Sequence, residues 1–164
     1  MAATYEPIAT TTLGSAQSSV TFSSIPQTYT DLVLIESFQF STTSSQSLMK
    51  FGDTSSLYSV TTLRGNGSAA NSARFTNDPN IGNTPGNTNS SANIQVTGIR
   101  HIMNYSNTTT YKTVIQRFGD TTSQVFAVVG LWRNTSAIST INLNTLAGNY
   151  NSGSTFTLYG IKAA

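Results

Sequence analysis

DLVLIESFQF, residues 31–40, decides the fold class. Its even positions carry Leu32, Leu34, Glu36, Phe38 and Phe40, and its odd positions carry Asp31, Val33, Ile35, Ser37 and Gln39. Side chains alternate between the two faces of a strand, so the N-terminal half of this one is apolar on both faces. Something must therefore cover both sides there: a second sheet on one, and a loop or a partner at Val33 and Ile35 on the other. Similar β-rich runs lie at Thr4–Leu13, Ser19–Ile25, Leu48–Phe51, Leu57–Arg64, Asn93–Ile99, Thr110–Phe118, Gln124–Trp132, Ile138–Leu143 and Thr155–Ile161. Turn residues separate them, and no segment holds a 3.6-residue period; at most one turn of helix is expected near Arg100–Tyr105. The reading is an all-β protein: one domain over 1–164, built as an antiparallel two-sheet sandwich, jelly-roll-like.

Composition agrees. Of 164 residues, 27 are Thr, 23 Ser and 15 Asn, whereas Glu and Lys together number five. Thr favours strands, Ser and Asn favour turns, and the usual helix formers are scarce. The hydrophobic share is 37% and occurs in runs, which argues against general disorder. The stretch 65–92, GNGSAANSARFTNDPNIGNTPGNTNSSA, reads as one long loop with Phe75 and Ile81 as its large apolar anchors. Those two, with Val33 and Ile35, are the expected interface residues. A short repeat also stands out: Lys50-Phe-Gly-Asp-Thr-Ser-Ser56 matches Arg117-Phe-Gly-Asp-Thr-Thr-Ser123, which predicts two similar hairpin turns at Gly-Asp.

Little in the chain suggests chemistry. It has no cysteine, so neither disulfides nor thiolate metal sites can form. The eight basic residues are scattered, with no two adjacent, and nucleic-acid binding is not expected. The opening MAATYEPIATTT lacks a basic, then apolar, signal pattern, and the apolar run Val125–Trp132 is far short of a membrane span. A soluble protein without a membrane partner is expected. The single histidine, His101, and the six acids stand apart in sequence. No phosphate loop, zinc motif or nucleophile elbow is present. Asp53 and Asp120 read as turn residues rather than calcium ligands. Neither catalysis, cofactor nor metal is expected. Glu36 on an apolar face should sit at a rim or meet Arg or Lys from another strand or subunit. Tyr105, Tyr111, Trp132 and Tyr150 suit stacking on sugars, and they suit a sandwich core equally well.

The two ends of the chain carry a resemblance. Tyr5-Glu-Pro-Ile-Ala-Thr-Thr-Thr-Leu13, followed by Ser19-Val-Thr-Phe-Ser-Ser-Ile-Pro-Gln-Thr-Tyr-Thr-Asp-Leu32, resembles the start of many virion structural proteins of tailed bacteriophages, including cyanophages. Thr155-Phe-Thr-Leu-Tyr-Gly-Ile-Lys162 is similar to the terminal strand of the same group. About the first 32 and last 30 residues take part in it. The resemblance implies a non-enzymatic virion protein on the exterior of the particle, assembled in the host cytoplasm. A capsid decoration, or cement, protein comes first, contacting the major capsid protein. A tail-fibre or tail-tip protein contacting tail proteins and a host surface glycan is the alternative. In either case a homo-oligomer is expected, and the three-fold sites common in such particles imply a trimer.

Overall fold

The computed structural model describes residues 4–43, 45–52, 57–81, 94–121 and 124–162. Eleven strands run through them: β1 (Tyr5–Thr12), β2 (Ser19–Phe22), β3 (Asp31–Phe38), β4 (Ser47–Lys50), β5 (Tyr58–Gly65), β6 (Ala70–Asp78), β7 (Val96–Met103), β8 (Lys112–Asp120), β9 (Val125–Trp132), β10 (Ile141–Thr145) and β11 (Thr155–Ile161). Eight form one antiparallel sheet in the order β1-β11-β3-β7-β8-β9-β5-β6, and three form a small sheet, β2-β10-β4. The two pack as an all-β antiparallel sandwich, as the sequence predicts, but the division is eight to three.

Between the sheets lies one apolar core. Leu32, Leu34 and Phe38 of β3 meet Phe156 and Leu158 of β11 on one side and Val20, Phe22, Met49, Ile141 and Leu143 of the small sheet on the other. Aromatic rings group at two places. Phe38, Phe40, Tyr150 and Phe156 stack at one, and Phe51, Tyr58 and Trp132 at the other. Edge-to-face and offset ring pairs of this kind add to simple burial.

Three expectations need correction. First, 65–92 is not one loop, because β6 lies inside it and pairs with β5 from Gly65↔Ala70 to Tyr58↔Asp78. The hairpin is closed by Asn66, whose Oδ1 accepts the N–H groups of Ser68 (3.1 Å) and Ala69 (2.8 Å), with Gly67 at φ +83°. The strand was hidden because both of its faces are exposed, so ANSARFTND carries no alternating apolar pattern. Second, β7 runs on through Arg100 to Met103, and the turn starts at Asn104, whose φ of +50° ends the strand. Third, the repeated Phe-Gly-Asp segments are not equivalent hairpins. The second copy does close the β8–β9 hairpin, where Asp120 Oδ1 accepts the Gln124 N–H at 3.1 Å. The first copy leaves β4 in the small sheet for β5 in the large one, and its Asp53 lies outside the described residues. What the copies share is a buried phenylalanine, Phe51 and Phe118.

Candidate assembly surface

The inner and outer faces of the large sheet differ in what covers them. On the inner face, Arg100 of β7 is fully buried. Its Nε donates to Glu36 Oε2 of β3 at 2.7 Å, its Nη1 donates to Gln116 Oε1 of β8 at 2.8 Å, and its Nη2 reaches Ser47 of β4 at Oγ (3.0 Å) and at the carbonyl (3.2 Å). The guanidinium also stands over the Phe118 ring, 4.9 Å from its centroid. Glu36 thus meets an arginine from another strand, one of the two outcomes expected for it. The group ties β3, β7 and β8 of one sheet to β4 of the other. Such a fully paired ion bridge specifies which strands lie opposite; it does little for net stability. Tyr150 donates to Ser47 Oγ at 2.7 Å, and burial, reinforced by the negative Glu36, pushes its phenol far above the usual range. Lys112 is also buried, with its ammonium on the carbonyls of Thr110 (2.8 Å) and Thr135 (3.2 Å), and burial lowers its pKa.

The outer face is apolar and open. Register places Ile35 of β3 beside Ile99 of β7, Ile99 beside Arg117 of β8, and Arg117 beside Ala127 of β9 and so Leu63 of β5. The next row sets Val33, His101, Ile115, Val129 and Thr61 in line. Ile35, Leu63, Ile99, Ile115, Val125 and Val129 are each 40–62% exposed, and they are neighbours on one surface. A depression of about 370 Å³ lies among Leu63, Ile115, Arg117 and Val129. Arg117 stands exposed in this strip without an ion-pair partner among the described residues, whereas His101 Nε2 lies 2.9 Å from Asp31 Oδ2 at its border. Scattered single apolar residues are ordinary on a protein surface; a contiguous strip of them makes this face the candidate interaction site.

The residues singled out in the sequence fall on different sides of this division. Ile35 is in the strip. Val33 points the same way but is 2% exposed, because it sits in register between the larger Tyr159 and His101. Phe75 is exposed, but on the opposite side of β6, in register with buried Val60. Ile81 is no interface residue. It is buried in its own core, where it exchanges backbone hydrogen bonds with Met49 and fills the space left by Gly130, whose added Cβ would stand 2.1 Å from Ile81 Cγ1. A glycan platform is not assembled from the four aromatics. Tyr105, Trp132 and Tyr150 are buried, with the Tyr105 hydroxyl bonded to the Pro26 carbonyl; Tyr111 is the one left exposed. Their rings serve the core, the other use the sequence allowed.

Ile99 and Ile115 are surface residues that the sequence reading does not single out. Their signal was present: Ile99 and Ile115 have the opposite parity to buried Ile102 and Val114 on their own strands. Among the described residues, no three His, Cys, Asp or Glu side chains come together in a way that could hold a metal ion. Comparison of the chain with models of protein families, with curated proteins and with solved structures finds no match in any of the three.

Proposed function

We propose that this chain is a non-enzymatic structural protein on the exterior of a tailed-phage particle, a capsid decoration protein that docks through the outer face of its large sheet. The observation that carries the reading is the open apolar strip, Ile35-Ile99-Ile115-Val129 with Leu63 and Val125. Full burial of such a side chain is worth roughly 1.5–3 kcal/mol, so covering six half-exposed ones returns roughly 5–9 kcal/mol before the costs of association. One weak contact of that size becomes firm when copies linked in one oligomer engage several sites of a regular shell at once. The resemblance of both chain ends to virion proteins supplies the setting. The absence of a catalytic role is supported by how the titratable groups are used: Glu36 is sealed against Arg100, Asp31 is taken by His101, and Glu6 holds Lys162 at 2.8 Å.

Electron micrographs of particles with this protein labelled test the reading. Label spread over the head is the expected result. Label at the tail tip would favour the tail-fibre alternative, and particles without label would overturn both.

A further inference from the structure

We infer that β6 pairs edge to edge with β6 of a second copy, across a two-fold axis at Ala73. The starting point is how the four strand edges are treated. An unpaired edge offers a row of free N–H and C=O groups, and proteins blunt such edges with proline, bulges, shortness or cover. β1 carries Pro7 and a register break between Pro7 and Ala9. β2 has four residues. β4 is covered by Ile81, whose N–H donates to the Met49 carbonyl at 2.9 Å and whose carbonyl accepts the Met49 N–H at 3.3 Å. β6 carries its register break only at its far end, at Asn77 (φ +56°), and among the described residues nothing covers or interrupts Ala70–Thr76, whose one charged residue is Arg74. It is nine residues long, without proline or lysine, and exposed from Ala70 to Asn77, and its pairing with β5 stays regular from Ala70 to Thr76. Its outward edge has no partner among the described residues.

The sequence of β6 also says what fits there. An antiparallel self-pairing centred on Ala73 uses all seven regular residues: Ala70 faces Thr76, Asn71 faces Phe75, and Ser72 faces Arg74. Sliding the centre to Arg74 sets two arginines directly opposite, which is unfavourable, and also shortens the ladder. With Ala73 at the centre, each Phe75 reaches diagonally over the small Ala73 of the other copy, giving cover to a ring that is 41% exposed in the single chain. The result joins two eight-stranded sheets into one. It is a two-fold contact, in place of the three-fold one the resemblance implies, and it stands whether or not the outer face docks on a capsid.

The protein has no cysteine, which makes the test simple. Wild-type protein at tens of micromolar should sediment as a dimer. Ala73→Lys, which opposes two ammonium groups at the axis, should sediment as a monomer with an unchanged far-UV spectrum. Under mild oxidation Ala73→Cys should form a covalent dimer on the order of tenfold faster than Thr76→Cys, since only the former brings two thiols to bridging distance. Should Ala73→Lys fail to fold, the two cysteine variants still decide. A monomeric wild type, or equal cross-linking at positions 73 and 76, overturns the pairing.

Discussion

Leu34, Arg100, Gln116 and Val128 cross the inner face of the large sheet in one register row, and all are buried. Ile35, Ile99, Arg117 and Ala127, the adjacent residue of each strand, cross the outer face in another row, and all are exposed. Polarity does not sort the two rows, since an arginine and a glutamine lie inside while two isoleucines lie outside. What sorts them is the three-stranded sheet, which covers one face and leaves the other. Inside, Arg100, Glu36 and Lys112 each have hydrogen-bond partners; outside, the apolar side chains have no cover among the described residues. A fold that spends hydrogen bonds to bury an arginine and still exposes isoleucines is what docking through the second face, as proposed, would require.

The sharpest way to break this contrast is at the buried charges. Glu36→Leu should destabilise the protein by about 3–5 kcal/mol in denaturant unfolding, because it strands the Arg100 guanidinium in the core. Pairing it with Arg100→Met should recover most of that loss. A single variant costing little would mean that the inner face is less closed than its burial indicates. Next in size is Gly98→Ala. An added Cβ would stand 2.0 Å from Phe118 Cδ1 and Cε1, so the ring that carries Arg100 must move, at about 1–3 kcal/mol by the same measurement.

On the outer face the expectation reverses. Ile99→Thr and Ile115→Thr keep the branched side chain and should each change stability by about 0.5 kcal/mol or less. Together they should abolish retention on purified particles in a co-sedimentation assay. Loss of stability without loss of binding would assign those residues to the fold.

The smallest effect belongs to the exposed pair that closes β1 on the chain end. The hydrogen bond from Lys162 is the largest influence on Glu6; it holds the carboxyl below its usual range and in return raises Lys162. Glu6 therefore contributes stability in full above its unfolded value of about 4.3, and loses it as pH falls through the lowered folded value. The raised Lys162 loses its part at the alkaline end, above about 10.4. Glu6→Gln should narrow the wild type's margin at neutral pH slightly and should match wild type in acid. A margin that persists in acid would assign the effect elsewhere.

How much of this was legible in the sequence follows the same division. Strands with one covered face announce themselves by alternation, and β3, β8 and β11 were readable for that reason. β6 has no covered face, so its composition looked like a loop. The outer strip was half legible: Val33 and Ile35 showed that β3 needed cover on both sides, but Ile99 and Ile115 join them only through pairing between strands distant in sequence. The same holds for Arg100. Alone in sequence beside His101 it marked the end of a strand; in register with Glu36 and Gln116 it is a core residue. The four aromatics were ambiguous between glycan and core, and burial decides against glycan for three.

The docking proposed for the outer face can be tested directly by single-cysteine protection, since every introduced thiol is unique. Ile115→Cys lies in the strip, and Ser19→Cys lies on the outward side of the small sheet. In the free protein a maleimide should label both. In assembled particles the thiol at position 115 should be protected while that at position 19 still reacts. Equal labelling of both positions in the particle would contradict docking through this face.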